Sequence, residues 1–428
     1  MKPWPPIGFR LAALAWVTAM AVPAATCAAD DWPAWRGLAR SGTSTETLDL
    51  GAWPPDGPRI LWRTQVGAGY AAVSVAGGRV YAMGNDGARD TVWCLEADTG
   101  RALWRHAYAC RGSGGGYGGP RVAPTLDESA VYALSVEGHL WRLDADSGRA
   151  VWSKNLLTEL GAALPRHGWS CHPLILGGRL ILEAGARGGA IVAFDKATGD
   201  VLWKAGDEAV GYSSPVAYRL GEKTYVAMLT GTALVGLDPD DGRPLWRYPW
   251  KVQYEINVAT PIVRGRRIFI SSGYGLGGAV VEVGRDDVRT VWRSQEMSNH
   301  FASCVLWEDS LYGFDGAPLA RRDTHRTLLR CLDFETGRAR WAHEGLGKGS
   351  LMAADGKLVI LSERGELVIA EASPDGYREL RRAKVLDNTC WTMPVLADGR
   401  LYCRNGPGDL VCVDLRPPAD SKAQGSSR

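Results

Sequence analysis

A short phrase recurs along this chain, and it constrains the fold more than any other feature of the sequence. An apolar residue and an acid are followed by three variable positions, a glycine, three more positions and a tryptophan, as in Leu95–Glu96, Gly100 and Trp104. Further copies end on Trp152, Trp203, Trp246 and Trp341. The copy before Trp292 has Val288 at the glycine position, and the copy around Leu380 has lost its tryptophan. Such repetition indicates a fold assembled from one repeated unit.

Each residue type in the phrase has a structural role. The glycine supplies the positive φ that a tight hairpin needs, and an Asp, Thr or Ser before it hydrogen-bonds the turn backbone. The tryptophan is then expected on the outermost strand of a small sheet, where its ring covers apolar surface between adjacent sheets. The predicted docking residues are Trp62, Trp104, Trp152, Trp203, Trp246, Trp292 and Trp341.

The spacing of the docking positions predicts how many strands each repeat contains. Positions 62, 104, 152, 203, 246, 292, 341 and 380 lie 39 to 51 residues apart, the length of four short strands with their turns. First strands carry a recurring proline, at positions 124, 173, 215, 261 and 394, which suits strands that begin near a central channel. One such sheet cannot bury both of its faces, whereas sheets stacked around a ring can.

The two ends of the repeat region indicate how the ring closes. After Leu380 there is room for three strands only, whereas the turn pair Asp56–Gly57 followed by Ile60–Trp62 near the start indicates the missing fourth strand, with its tryptophan one residue late after the glycine. We therefore predict an all-β, eight-bladed β-propeller of four-stranded antiparallel blades, in which the N-terminal strand completes the last blade. A seven-bladed ring is the alternative if the degraded repeats merge.

The N-terminus has the pattern of a secretory signal. Lys2 and Arg10 provide the positive end, and Leu11–Val22 is apolar but too short to span a bilayer. Small residues follow, so cleavage is expected after Ala28 or Ala29. The sequence therefore predicts a protein of the periplasm or the cell exterior.

Four segments are predicted along the chain. A signal peptide over 1–29 precedes an N-terminal extension over 30–59, the propeller over 60–416 and a disordered tail over 417–428. A lipid anchor on Cys27 is the alternative to an ordinary signal peptide. No other segment is long and apolar enough to be a transmembrane segment.

Charge and cysteine content bear on the classes of partner and bond that are expected. The 49 Lys and Arg residues nearly balance the 47 Asp and Glu residues without a basic stripe, so no nucleic-acid partner is expected. Cys94, Cys331 and Cys412 occupy equivalent places in different repeats and are interpreted as small buried residues. Cys403 and Cys412 flank a predicted turn and could form a disulfide, depending on strand register.

No metal site and no catalytic residue are predicted. The chain has no CxxC motif, and the spacing of His167, Cys171 and His172 fits no tight metal site. No Ser-His-Asp, paired-carboxylate or HExxH arrangement is identifiable in the sequence either. A triad assembled only by the fold would leave no such pattern.

The repeat phrase is similar to the PQQ-like β-propeller repeat, over roughly residues 30–416. That family includes the quinoprotein alcohol dehydrogenases and the outer-membrane assembly lipoprotein BamB. The opening Asp31–Gly37 also resembles the start of uncharacterised, exported bacterial PQQ-like repeat proteins, as do Asn299–Phe301, Gly313–Gly316, Gly347–Ser350 and Cys390–Thr392. The resemblance implies the fold and leaves function open, because one fold hosts many activities.

The resemblance also implies what a quinoprotein should contain. Quinoprotein alcohol dehydrogenases stack the quinone on a ring of adjacent bridged cysteines, and this chain has no Cys-Cys pair. No carboxylate here can be matched by motif to their catalytic aspartate or metal ligands. We therefore expect no cofactor and favour a protein that is not an enzyme; a quinoprotein-type alcohol dehydrogenase with PQQ and Ca²⁺ is the alternative.

Ligands of propellers tend to bind where the connections between blades line one mouth of the channel. The candidate residues are Arg121, His172, Tyr212, Asn257, Asn299, His300, Lys348 and Trp391. Arg121 is a candidate anion clamp, Lys348 a second anion contact and Trp391 a stacking surface for a planar ligand. The structural alternatives are that Arg121 bonds backbone carbonyls of neighbouring blades, that Lys348 is solvated in a turn, and that Trp391 packs in the core. His300 suits acid–base chemistry or a structural hydrogen bond.

Two functional hypotheses follow from these patterns. In the preferred hypothesis, the chain is an exported, monomeric, non-enzymatic scaffold that binds a protein or peptide partner in the cell envelope. Its role would be in the assembly of outer-membrane or other envelope proteins. In the alternative, it is a PQQ-dependent or quinoprotein-like oxidoreductase, or a propeller that binds a small planar ligand in the channel mouth.

Overall fold

The computed structural model describes residues 31–54, 57–112, 117–316 and 327–416, together with Met1. Residues 2–29 of the predicted signal peptide, the lipid anchor on Cys27, the turn residue Asp56 and the tail over 417–428 lie outside the described residues.

Eight antiparallel sheets are arranged as the blades of a propeller. Two strands precede the first complete blade, β1 (Thr43–Ser44) and β2 (Arg59–Gln65). Blade 1 contains β3 (Ser74–Ala76), β4 (Arg79–Asn85), β5 (Arg89–Glu96) and β6 (Ala102–Ala109). Blade 2 contains β7 (Thr125–Asp127), β8 (Ala130–Leu134), β9 (His139–Asp144) and β10 (Ala150–Asn155). Blade 3 contains β11 (Leu174–Leu176), β12 (Arg179–Ala186), β13 (Gly189–Asp195) and β14 (Val201–Ala205). Blade 4 contains β15 (Val216–Leu220), β16 (Lys223–Leu229), β17 (Ala233–Leu237) and β18 (Pro244–Pro249).

The second half of the ring repeats the pattern. Blade 5 contains β19 (Ile262–Arg264), β20 (Arg267–Ser272), β21 (Gly277–Val283) and β22 (Val288–Ser294). Blade 6 contains β23 (Val305–Trp307), β24 (Ser310–Asp315), β25 (Leu328–Asp333) and β26 (Ala339–His343). Blade 7 contains β27 (Ser350–Ala354), β28 (Lys357–Leu361), β29 (Glu366–Glu371) and β30 (Glu379–Lys384). Blade 8 contains β31 (Val395–Ala397), β32 (Arg400–Arg404) and β33 (Asp409–Asp414). The helices are short: α1 (Leu156–Leu160) and the 3-10 turns Leu50–Ala52 and Gln253–Glu255.

The N-terminal strand closes the ring, as the sequence predicts. Strand β2 pairs antiparallel with β33, which places Trp62 opposite Cys412 and Ile60 opposite Val413. Blade 8 therefore has four strands from the two ends of the chain. The eight-bladed prediction is confirmed, and the seven-bladed alternative is wrong because the degraded repeats around Trp292 and Leu380 each form a complete sheet.

Indole rings lie between successive blades. Trp62 Nε1 donates to the carbonyl oxygen of Ala97 at 2.9 Å, and Trp203 Nε1 donates to that of Pro239 at 2.9 Å, in each case on the following blade. The repeat glycines leave room for these rings, since a Cβ at Gly242 would lie 2.5 Å from Cε3 of Trp203. Trp104, Trp152, Trp292 and Trp341 make the corresponding bond to the next blade.

Trp246 departs from this pattern. Its Nε1 donates at 2.9 Å to the hydroxyl of Tyr218, which belongs to the same blade. The following blade carries Val288 at the repeat glycine position, so the turn that receives the other indoles differs there. The ring of Trp246 still packs in one apolar cluster with Ile268 and Ile270 of blade 5.

A β-bulge precedes the tryptophan position in the outermost strand of every blade. The pairing of β13 with β14, for example, skips from Trp203 to Val201 and leaves Leu202 without a partner. The unpaired residue points outward in several blades: Leu103 is 39%, Val151 43% and Leu202 49% exposed. The bulge adds local twist and re-aims the next side chain, which turns the indole toward the neighbouring blade.

The N-terminal segment, residues 31–49, enters the central channel from one end and was not predicted to do so. Trp32 forms a bridge with Val75 of blade 1, and the carbonyl of Pro33 accepts from Leu126 of blade 2. The segment then adds β1 as a short parallel strand beside β27 of blade 7. The channel is therefore plugged by the chain's own N-terminus.

Two buried arginines hold the tip of this segment. Arg40 donates to the carbonyl oxygens of Pro173, Pro215 (3.1 Å) and His172 (3.3 Å), which belong to the connections that lead into blades 3 and 4. Arg36 donates to the carbonyl of Cys304 at 2.6 Å, before blade 6. Each hydrogen bond satisfies a backbone carbonyl oxygen that would otherwise be buried in the channel wall without a donor.

The eight cysteines among the described residues are buried, and none forms a disulfide. The pairing that the sequence left open between Cys403 and Cys412 is not made, because Cys403 lies opposite Val411 and Cys412 lies opposite Tyr402. Within the ranges that the structure covers, no helix is long and apolar enough to cross a membrane.

Candidate functional site

A cavity of about 440 Å³ lies at the end of the channel opposite to the entry of the N-terminal segment. All eight connections between blades contribute to its wall, because in a propeller these connections converge on the axis. Its lining comprises Tyr70, Tyr117, Arg121, His167, Ser170, His172, Tyr212, Ser214, Ile256, Val258, Thr260, His300, Phe301, Lys348 and Trp391, with Tyr274 from a hairpin of blade 5 and Trp35 from the N-terminal segment. The volume falls within the usual range for small-molecule sites.

One side of the cavity is a continuous aromatic wall centred on Trp391. Its ring stacks with Tyr70 at a centroid distance of 5.5 Å and contacts Phe301 at 5.3 Å and Tyr117 at 5.4 Å. The series continues from Phe301 to His300 at 5.8 Å. These separations are typical of favourable aromatic pairs, so the wall is a preformed apolar surface.

The floor is made by Trp35, which the N-terminal segment carries into the channel. Its ring stacks on the imidazole of His172 with centroids 4.3 Å apart and planes 9° apart. Trp35 Nε1 donates to Thr260 Oγ1 at 2.9 Å, and His172 Nδ1 lies 3.1 Å from Ser214 Oγ. Hydrogen bonds and stacking therefore fix both rings.

The charged groups on the lining are cationic. Arg121 donates to the carbonyl of Tyr117 at 2.7 Å, which fixes the guanidinium beside its own loop. Lys348 follows Gly347, and its backbone N–H donates to Glu363 Oε2 at 3.1 Å. The other oxygen of Glu363 accepts from Trp391 Nε1 at 3.0 Å. No aspartate or glutamate is among the described residues that line the cavity.

The three histidines of the lining are neutral at pH 7. Burial, and then the charge of Lys348, lower the pKa of His300 to about 4. Burial, and then Arg40, hold the pKa of His172 well below its ordinary value. The pKa of His167 is lowered by burial and by Arg121 and Arg166. Neutral imidazoles offer one donor and one acceptor each, so the net charge of the lining comes from Arg121 and Lys348.

Two of these imidazoles carry buried nitrogen atoms without a hydrogen-bond partner. His172 Nε2 and His300 Nδ1 are inaccessible to solvent, and no described residue bonds to either of them. A buried polar atom left in this way costs about 1 to 3 kcal/mol. Because these two atoms are buried, a ligand in the cavity would reach them only if the imidazole rings turned.

Six of the eight sequence candidates meet in this cavity: Arg121, His172, Tyr212, His300, Lys348 and Trp391. Whether they bind a ligand stays a prediction. Asn257 and Asn299 do not line it. Asn257 Nδ2 donates to the carbonyls of Thr230 (2.7 Å) and Trp250 (3.2 Å), and Asn299 Nδ2 to that of Phe314 (3.0 Å). Both amides are fully buried and satisfy backbone groups within their blades.

Sequence reasoning missed several lining residues, mostly aromatic. Tyr70, Tyr117 and Phe301 lie in connections whose paths cannot be deduced from strand patterns, although Phe301 is adjacent to His300. Trp35 belongs to the DWPAWRG segment, which stood out in the sequence without a role. The signal available in the sequence was the pair of tryptophans, Trp32 and Trp35, close together before the first repeat.

The lining does not fit a calcium-bound quinone. Calcium takes six to eight oxygen ligands, with carboxylates prominent among them. The oxygen groups here are hydroxyls, such as those of Ser170, Ser214 and Thr260, and they stand among the cations Arg121 and Lys348. Positive side chains repel a divalent cation, so no step through Ca²⁺ and PQQ is derived for this site.

A second depression, of about 590 Å³, lies at the outer edge between blades 7 and 8. Its charges alternate in sign, and Lys384 lies 3.5 Å from Asp387 across it. Arg63 is already engaged with the carbonyl of Val385 at 2.6 Å. The groups of this depression neutralise one another rather than converge on a common point, which makes the axial cavity the stronger candidate.

The chain matches the family model described as outer membrane protein assembly factor BamB, over residues 43–113 and 88–343, which is more than half of its length. No curated protein matches its sequence.

Several solved structures share the fold. The quinohemoprotein alcohol dehydrogenase of Comamonas testosteroni superposes with a TM-score of 0.69 at 15% identity, covering 91% of this chain and 81% of that one. BamB of Moraxella catarrhalis gives 0.59 at 17% identity, covering 82% of this chain and 100% of that one. A europium-containing methanol dehydrogenase gives 0.65 at 12% identity and 90% of both chains. At these identities the likeness shows the shared fold alone.

Proposed function

The chain belongs to the PQQ-like β-propeller family, and from that premise we propose that it is a binding protein whose axial cavity holds a small planar aromatic anion. The observation that carries the proposal is the pairing of an aromatic wall with two cations in one cavity. An aromatic ring in the ligand would stack on Trp391, and its negative group would meet Arg121 and Lys348.

Binding rather than catalysis is favoured by the state of the histidines. A general base works best when its pKa is near the working pH, whereas the pKa of His300 is about 4 and that of His172 is well below the ordinary value. Neutral imidazoles are better suited to orient a ligand by hydrogen bonds.

Calorimetric titration at pH 7 with 2,6-naphthalenedicarboxylate tests the proposal, with its neutral dimethyl ester as the comparison. We expect saturable, one-to-one binding of the dianion and much weaker binding of the ester. Lys348→Met should weaken dianion binding about tenfold, which corresponds to ~1.4 kcal/mol. Trp391→Leu should weaken the binding of both the dianion and the ester, because it removes the stacking surface.

The matched control is Lys204→Met, which removes one positive charge from an exposed strand on the outside of blade 3. Its affinity for the dianion should stay within twofold of the unaltered protein. Equal weakening by Lys204→Met and Lys348→Met, or equal affinity for dianion and ester, would mean that the cavity cations do not select the ligand. PQQ, a planar tricarboxylate, is a second probe, and turnover of alcohol with it would overturn the binding-only proposal.

A second candidate function, a protein-binding scaffold of the cell envelope, is favoured by the family model and by the fold shared with BamB. It requires export, which the sequence of residues 1–29 favours. N-terminal sequencing of the protein from envelope fractions should give a mature start at Ala29 or Asp30. Affinity purification from those fractions should then recover one reproducible partner, and recovery of none would count against the scaffold.

A further inference from the structure

A cluster of metal-ligating side chains lies outside the axial cavity, at the junction of blades 1 and 2. Cys110 directly follows β6, Glu137 lies in the turn between β8 and β9, and His139 is the first residue of β9. One donor atom from each of the three lies within 4.8 Å of the others. Sulfur, imidazole nitrogen and carboxylate oxygen together form a donor set that suits zinc.

The segment that carries two of these donors is rigid. Ser135 Oγ accepts the backbone N–H groups of Glu137 (3.2 Å) and His139 (2.9 Å). The same oxygen lies 3.1 Å from His139 Nδ1. Metal-bound imidazoles typically engage their second ring nitrogen in such a bond, which fixes the tautomer and the ring orientation. Nε2 of His139 is then the nitrogen that remains for a metal.

Cys110 is fixed by a buried network on the other blade. Asp90 is fully buried, and its carboxylate accepts from Asn85 Nδ2 at 2.7 Å. Asn85 Nδ2 also donates to the backbone carbonyl of Cys110 at 3.0 Å. The hydroxyl of Tyr108 lies 3.4 Å from the second oxygen of Asp90, and its ring contacts that of His139 at 5.6 Å. Both halves of the cluster are therefore held in place before any ion binds.

The cluster concentrates acidic groups without a basic partner. No lysine or arginine in the described ranges forms an ion pair with Asp90 or Glu137. No ion pair of Glu137 would therefore have to break when a divalent cation binds.

We propose that Cys110, Glu137 and His139 bind one zinc ion that ties blade 1 to blade 2. The thiol of Cys110 loses its proton to solvent on binding, and water completes the tetrahedral coordination. Asp90 is a positioning residue that orients Cys110. The site also anchors the start of the connection that leads to Arg121, on the wall of the axial cavity.

Cobalt(II) titration of the full chain, purified without a polyhistidine tag, tests this site. We expect one equivalent of Co²⁺ per chain, a thiolate-to-cobalt charge-transfer band in the near ultraviolet, and displacement of that band by Zn²⁺. Cys110→Ser should abolish the band, and Glu137→Gln should weaken binding at least tenfold, with circular dichroism showing that both variants fold.

Cys94→Ala, which removes a different buried cysteine of blade 1, is the matched control and should keep the full band. The proposal is overturned if no band appears, if the band survives in Cys110→Ser, or if Glu137→Gln binds Co²⁺ as tightly as the unaltered chain. Glutamine has nearly the same shape as glutamate, and position 137 is only half-buried, so Glu137→Gln should fold. This variant therefore tests the ligand set even if Cys110→Ser fails to fold.

Discussion

His300 packs against Phe301 and Tyr274 and lies close enough to Lys348 to be affected by its charge. Burial and that charge lower its pKa to about 4, below the ordinary value of 6.5. Between these values the folded protein binds fewer protons than the unfolded chain. The stability that neutral His300 contributes is therefore complete above pH 6.5 and is lost as the pH falls toward 4.

We expect this loss to reach about 3 kcal/mol at pH 4, from 1.36 kcal/mol per pKa unit. Urea unfolding of the unaltered protein and of His300→Gln, measured from pH 7 to pH 4, checks the prediction. The difference in free energy of unfolding between the two should narrow by that amount as the pH falls, since glutamine does not titrate. A constant difference would show that His300 is protonated equally in both states.

Gly242 faces two constraints at once, and they can be separated experimentally. Its φ is +74°, and a Cβ would lie 2.5 Å from the ring of Trp203. Gly206 has a similar φ of +69° but no atom within 4 Å of a Cβ. Gly206→Ala should cost about 1 kcal/mol from backbone strain alone. Gly242→Ala should cost a further 1 to 3 kcal/mol, because the indole must move.

Thermal unfolding of both glycine variants gives the two numbers. Equal destabilisation by the two substitutions would mean that the indole ring of Trp203 can move away from position 242. The glycine would then be needed for the turn conformation alone. Five of the seven tryptophans were predictable from sequence because a glycine stands four residues before each, whereas Trp62 follows Gly57 by five residues and Trp292 has Val288 at the glycine position. The bond of Trp246 to Tyr218 was not predictable, since it depends on how the next blade's turn folds.

The β-bulge in each outermost strand is the element that aims the indoles. Deleting Leu202 would remove the bulged residue and its local twist, while regular alternation from Val201 to Ala205 would keep Trp203 on the buried face. The ring would then be aimed differently and fit less well against blade 4, which should cost about 1 to 3 kcal/mol. Leu202→Ala keeps the bulge and should stay within ~0.5 kcal/mol. Chemical denaturation of the pair decides whether the bulge or the leucine matters.

The N-terminal segment joins the blades through hydrogen bonds inside the channel. Arg40→Ala would leave the carbonyls of His172, Pro173 and Pro215 without their donor, at a cost of about 3 kcal/mol. Arg59→Ala, with a side chain 71% exposed, is the control and should have little effect. Differential scanning calorimetry should show a lowered Tm for Arg40→Ala only; equal Tm values would contradict the role of the segment.

Sequence patterns predicted the blades because strand alternation, turn glycines and repeat spacing are local properties. They also predicted closure, since three strands at one end require a fourth from elsewhere. The path of residues 31–49 was not predictable, because its bonds go to backbone carbonyls of distant blades, which carry no sequence signal. Asn257 and Asn299 were misplaced for the same reason: their amides turn inward to backbone groups.

At the scale of the whole molecule, one site forms from residues that are far apart in sequence. Closure of the ring brings the connections between blades together, and the N-terminal segment fills the channel beneath them. Eight connections bring side chains to the axis, and the N-terminal segment supplies the floor. The lining therefore combines residues from Trp35 to Trp391, with cations but, among the described residues, no carboxylates. This convergence explains why individual candidates could be identified from their place before first strands, whereas the aromatic wall appeared only in three dimensions.

The most direct test of ligand binding in the axial cavity is X-ray diffraction from crystals soaked with 6-iodo-2-naphthoate, with iodine located by its anomalous signal. We expect one strong iodine site inside the cavity, with the naphthalene ring against Trp391 and the carboxylate between Arg121 and Lys348. Iodine bound only on the outer surface, at a concentration that saturates the protein in calorimetry, would contradict this expectation.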